Sequence, residues 1–125
     1  MARLQAQPIA AVAIDDAALL AEACLRWREK EFQKHVLALA EERGWTYRYH
    51  SYFSDRSERG FPDVMLLRPE RGEMIFAELK TMNGRLSPMQ EDWLGALRAC
   101  AGENVRVFFW RPCCWNSGEI ADALA

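Results

Sequence analysis

At 125 residues the chain is one domain's worth of polypeptide with room for one modest core. Its 50% hydrophobic and 27% charged residues exclude a disordered or membrane-embedded class and fit a globular one. A formal net charge of −2 and a pI of about 5.7 give no overall signature of nucleic-acid binding, so such binding would rest on a local basic face.

No apolar run approaches the roughly 20 residues of a membrane span, and the first residues lack the apolar centre of a signal peptide, so a cytoplasmic protein is expected. The four cysteines, Cys24, Cys100, Cys113 and Cys114, make no C-x-x-C pair and are read as reduced packing thiols rather than a zinc site.

Residues 1–27 read as an amino-terminal arm. Residues 1–14 are loose, and Asp15 and Asp16 cap a helix whose Ala17, Leu20, Cys24 and Trp27 repeat at helical spacing. This helix continues, or breaks briefly, into a second over 28–43, where Phe32, Val36, Leu39 and Ala40 form an apolar stripe and Gly44 supplies the stop. Residues 45–49 favour a strand, with Trp45 included, and 51–59 form a polar loop. Two apolar runs follow, 64–67 and 74–80, joined by the turn Glu70-Arg71-Gly72-Glu73, and a second loop over 81–86 contains Asn83-Gly84. Ser87-Pro88-Met89-Gln90 opens a helix with serine at the N-cap, proline at the first helical position and glutamine as capping-box partner. Residues 105–110 are apolar on both faces, hence an interior strand, and a short helix over 117–124 closes the chain. The order α-(α)-β-β-β-α-β-α predicts an α/β fold, a small mixed sheet flanked by helices, with 28–125 as the main domain.

The chemistry concentrates at the two apolar runs. Side chains alternate along a strand, so Glu78 and Lys80 project from one face and Leu79 from the other. Burying either charge without a partner costs several kcal/mol on an order-of-magnitude scale. An ion pair is one resolution, and a bound cation with Asp63 as a second ligand is the other. If the runs form a hairpin, Asp63 and Glu78 meet at one end of the sheet. Pro62 fixes the backbone that presents Asp63, and Gly60 permits a close approach at the mouth. Carboxylates are hard oxygen ligands suited to Mg²⁺ or Mn²⁺, and two of them beside a lysine form the arrangement that metal-assisted phosphodiester hydrolysis requires. Among residues that precede this site, Arg26, Arg28, Lys30, Lys34, Arg43, Arg48, Arg56 and Arg59 form a candidate basic face interleaved with acids. In the loop before Gly60, His50 and Arg56 are candidate DNA contacts, Arg56 because a guanidinium can bond two phosphate oxygens. Trp93 and Phe108-Phe109-Trp110 read as core, whereas Trp115, beyond the last strand, is a candidate for exposure.

Pro62-Asp63 with Glu78-Leu79-Lys80 resembles the PD-(D/E)xK nuclease signature. Together with Phe32-Gln33, Gly44-Trp45, Arg56, Gly60-Phe61-Pro62-Asp63, Phe76-Ala77-Glu78-Leu79-Lys80 and Leu86-Ser87-Pro88-Met89-Gln90, it resembles a stand-alone VRR-NUC domain of the phage and bacterial type, over roughly residues 28–124. The resemblance implies a restriction-endonuclease-like core and a Mg²⁺- or Mn²⁺-dependent endonuclease that hydrolyses DNA phosphodiester bonds. Asp63 and Glu78 would be metal ligands and Lys80 the catalytic cation. The family's helix acid falls on Glu29, one turn before Phe32-Gln33, as an accessory ligand; Glu31 competes but faces away from the core stripe. Gln90 falls on the family's helix glutamine near the catalytic site, a role compatible with its capping-box reading, and Gln33 either touches DNA or merely decorates its helix. The resemblance further implies 5′-phosphate and 3′-hydroxyl ends and a homodimer cutting branched DNA of the Holliday-junction type. Two alternatives stand beside it: a nuclease subunit of a larger helicase or restriction assembly, and a DNA-binding module that does not cleave.

Overall fold

Phe32, Val36 and Ala40 recur at helical spacing and are wholly buried, which fixes the inward face of the first long helix, α1 (Glu29–Glu42). The computed structural model describes residues 23–51 and 58–125. After α1 come β1 (Tyr47–His50), β2 (Val64–Arg68), a 3₁₀ turn (Pro69–Arg71), β3 (Glu73–Leu79), α2 (Pro88–Cys100), β4 (Val105–Trp110), α3 (Pro112–Asn116) and α4 (Glu119–Leu124). The strands form one mixed sheet in the order β1-β2-β3-β4, antiparallel between the first three and parallel between β3 and β4. The parallel pair needs a crossover, and α2 supplies it. The architecture is an α/β, restriction-endonuclease-like core with helices flanking a four-stranded sheet.

The arm and most of its expected helix lie outside the described residues. What is described settles the join to α1: residues 23–25 are helical, the chain turns at Arg26, Trp27 and Arg28 are not helical, and α1 starts afresh. Glu31, at the third position of α1, accepts the Arg28 backbone N–H at 3.1 Å, so this acid caps the helix. Trp27 stacks on His35 at 4.0 Å and meets Trp115 edge-on at 5.5 Å. Trp115 is therefore half-buried against the core rather than exposed.

Each strand alternates. Val64, Leu66, Ile75, Ala77 and Leu79 point into the cluster that contains Phe32, Val36, Ala40, Trp45, Trp110, Ile120 and Leu124. On the opposite face Phe61 meets Phe76 at 6.1 Å and Trp93 of α2 at 5.2 Å, both edge-to-face. Helices cover both faces, which explains β4. Apart from Arg106 its residues are apolar on both sides, yet it ends the strand order instead of lying in the interior. Two-sided covering, rather than two strand neighbours, places apolar residues on both faces of β4.

Two further expectations are corrected. Trp45 is not part of a strand; it is fully buried, its backbone N–H returns to Ala40 O at the end of α1, and its indole N–H donates to Leu124 O at 3.0 Å. The strand begins at Tyr47, and Tyr47 and Tyr49 are exposed. The helix over 117–124 is shorter, Glu119–Leu124, and α3 precedes it with Pro112 at its first turn. Among the described residues no helix is long and apolar enough to cross a membrane.

Arg68 ties these parts together. Its guanidinium, 4% exposed, bonds Glu73 at 2.8 Å, Arg43 O at 3.1 Å and Ala125 O at 3.0 Å, and lies over the Trp45 ring at 4.2 Å. Arg68→Ala removes the donor of two carbonyls and leaves Glu73 with Arg106 alone at 3.7 Å, so urea unfolding is expected to show a loss of about 3–5 kcal/mol. A loss below 1 kcal/mol contradicts this account.

Candidate active site

The β2–β3 register pairs Val64 with Ala77, so the next residues outward at that end of the hairpin are Asp63 and Glu78. Asp63 Oδ2 accepts the Leu79 N–H at 3.0 Å, and its own carbonyl receives Ser51 N–H at 2.9 Å. The aspartate thus continues the sheet with its side chain where the ladder stops. Gly60 and Pro62 hold it there. Pro62 is buried, and Gly60, at φ 86°, lies so near α2 that a Cβ would stand 2.6 Å from Met89 C and O. Phe61, wedged between Phe76 and Trp93, anchors the same segment.

Glu78 shares the face of Phe76 and is only 1% exposed. Its Oε2 accepts the Gln90 amide at 3.0 Å, and among the described residues no donor reaches Oε1 in hydrogen-bonding geometry. Gln90 acts in two directions. Its Oε1 accepts the Ser87 N–H at 2.8 Å in the capping box, which turns the amide NH₂ toward Glu78. Gln90 thus caps α2 and contacts Glu78 at the same time.

Glu29, in the first turn of α1, completes the group. One carboxylate oxygen from each of Glu29, Asp63 and Glu78 lies within 4.8 Å of the others. Lys80 Nζ stands 3.7 Å from Glu29 and 4.0 Å from Glu78. Its stem packs on Gly84, where a Cβ would lie 3.3 Å from Lys80 Cδ, a neighbour that sequence reasoning left inside an ordinary Asn-Gly loop.

Burial first, then the Asp63 charge, pushes the Glu78 carboxyl up to about 9, against the opposing pull of Lys80. Burial also raises Asp63, opposed by the Leu79 N–H bond, and raises Glu29, opposed by Lys80. Three acids held this close resist full ionisation unless more positive charge than one lysine enters. The buried, undonated Glu78 oxygen and an all-oxygen donor set fit a hard divalent cation, and none of the three acids offers the nitrogen or sulfur that zinc favours.

Of the other candidates, Gln33 donates to Asp63 O at 3.4 Å and so adjoins the cluster. His50 ends β1 opposite Val64, one residue from Asp63. Arg56 lies outside the described residues.

The family model for the VRR-NUC domain matches residues 15–111. The chain belongs to that family. VRR-NUC is a nuclease family, and a stand-alone VRR-NUC domain fits a match that covers most of the chain. No curated protein and no solved structure matches the chain.

Two outcomes follow from this geometry. With cations chelated, folded Glu78 holds its proton far above its ordinary 4.5, so the folded state binds more protons than the unfolded between about pH 5 and 9. Stability therefore falls as pH rises through that window, and thermal melts in EDTA at pH 5, 7 and 9 should show it. Glu78→Gln should flatten the slope; an unchanged slope overturns the assignment. Gly60→Ala should misplace the Asp63 segment against α2 and lower the melting temperature by several degrees, whereas Gly102→Ala, in open space, should not.

Proposed function

We propose that this VRR-NUC protein is a Mg²⁺- or Mn²⁺-dependent endonuclease that hydrolyses DNA phosphodiester bonds. The observation that carries the reading is the convergence of Glu29, Asp63 and Glu78 within 4.8 Å beside Lys80, at the open end of a hairpin. Asp63 and Glu78 would hold the cation and Glu29 would assist, directly or through water. Such a cation supplies a more acidic water and offsets charge on the scissile phosphate.

The remaining roles belong to the chain. Lys80 places its ammonium where it can donate to the attacking water or to a phosphate oxygen, and the two flanking glutamates hold it. Gln90 keeps Glu78 aimed and thereby couples the start of α2 to the site. Asp63 is fixed through Oδ2 by the Leu79 N–H, and its carboxylate would help to hold a cation. Water adds at phosphorus, the P–O3′ bond breaks, and the products carry a 5′-phosphate and a 3′-hydroxyl.

The reading extends to branched DNA cut by a homodimer. The described residues hold one acidic cluster, so paired cuts in two strands need two copies. An end-labelled four-way junction, incubated with Mg²⁺ or Mn²⁺, should be nicked symmetrically, and EDTA should abolish nicking. Asp63→Asn, Glu78→Gln and Lys80→Ala should each lower the rate on the order of 10²–10³-fold while leaving junction binding in Ca²⁺ intact. The native mass in solution should be that of two chains. Cleavage that survives Asp63→Asn, or a parent protein that binds but never cuts with either ion, overturns the enzyme assignment in favour of a binding module.

A further inference from the structure

Beside the carboxylates lies a hollow of about 210 Å³ lined by Lys30, Gln33, Lys34, Leu37 and His50. The four α1 residues follow the spacing of one helix face, and His50 forms the far wall from the end of β1. The hollow and the acidic cluster are contiguous. Gln33 lines the first and donates to the backbone of Asp63 in the second, while Glu29 immediately precedes Lys30.

The two ammoniums stand out by chemistry. The whole sequence has three lysines, Lys30, Lys34 and Lys80, against thirteen arginines. All three lie at the acidic cluster or in the hollow beside it. Arg48, Arg68 and Arg106 pair with acids, and Arg111 donates to carbonyl oxygens. Lys30 and Lys34 are exposed, and neither has an acidic partner within 4.0 Å among the described residues. Like charges one turn apart destabilise a helix by a few tenths of a kcal/mol. Among the described residues neither ammonium gains an ion pair to offset this repulsion, so their return is sought outside the fold.

Resting on the nuclease reading above, we propose that this hollow seats a backbone phosphate of the bound DNA strand, one or two steps from the scissile one. Lys34 lies five residues along α1 from Glu29, about 7 Å at 1.5 Å per residue. That is about one phosphate step, because a strand winds around the duplex axis and its neighbouring phosphates lie well beyond the axial rise of about 3.4 Å per nucleotide. A phosphate is a compact anion that several point-charge donors can reach from different sides, which suits ammonium groups. At about 30 Å³ per water, the hollow holds several waters or one phosphate with part of its sugar. Lys30 and Lys34 supply attraction next to a centre whose own acids repel DNA.

The test uses the full chain with a labelled DNA junction in Ca²⁺, where binding is read without cleavage. Lys30→Gln/Lys34→Gln should weaken binding at least tenfold. It should also make the slope of log K against log salt shallower by about 0.7–0.9, the contribution of one neutralised phosphate. At saturating DNA with Mg²⁺ or Mn²⁺, kcat should stay within about threefold of the parent value while KM rises. The double arginine variant should restore most of the affinity. With so few lysines, acetylation of the parent protein followed by mass spectrometry should show Lys30 and Lys34 protected by DNA. Unchanged affinity and slope in the glutamine variant, or equal labelling with and without DNA, overturns the subsite even where Asp63→Asn abolishes cleavage. A parent protein that binds no DNA overturns the subsite and the nuclease reading together.

Discussion

A glutamate carboxyl kept almost wholly from water at the end of a β-hairpin is the constraint around which this protein is organised. Among the described residues the buried Glu78 carboxyl has one hydrogen-bond donor, the Gln90 amide, and a crowd of acceptors. An ionised group so placed requires compensation, from its proton or from a cation. The neighbouring residues make sense in those terms. Asp63 braces the strand end, Lys80 bridges two acids, and Glu29 brings a third carboxylate from a separate helix. The aromatic wedge of Phe61, Phe76 and Trp93 and the close approach of Gly60 to Met89 keep the parts from relaxing apart.

That organisation explains how one small domain accommodates a concentration of charge. The face of the sheet toward α1, α3 and α4 is the main apolar core, and Arg68 closes its lower corner with a fully engaged guanidinium. Polar chemistry is confined to the opposite end of the β2–β3 hairpin and to the opening turns of α1 and α2. Those helix starts favour negative charge through their exposed N–H groups, a modest contribution in the same direction as the lysines.

Much of this was legible in the order of residues. Asp63 and Glu78 were identifiable as neighbours because hairpin pairing and side-chain alternation leave few other arrangements for two acids at the boundaries of apolar runs. The helix beginning at Ser87 announced itself through serine, proline and glutamine in sequence. Glu29 and Glu31 were harder to separate, since both sit in one helical turn; the structure distinguishes them by giving Glu31 to the cap and Glu29 to the cluster. The position of β4 was not legible, because covering by helices on both faces imitates an interior strand. Trp45 was misplaced for a related reason: aromatic β-propensity cannot reveal that a tryptophan folds back beneath Leu124. Lys30 and Lys34 were visible only as part of a mixed-charge stretch, and the loss of acidic partners is a three-dimensional fact. α3 was missed because five residues leave too short a period to read, although Pro112 marks its start.

The three acids that converge here are scattered through the chain, and the glutamine that aims one of them comes later still. During synthesis, a nascent polypeptide emerges amino terminus first, and α1 is available long before α2. The carboxylate centre cannot exist until the second half of the domain has left the ribosome and closed over the first. A truncated or half-made product that lacks β3 or α2 therefore carries no assembled centre.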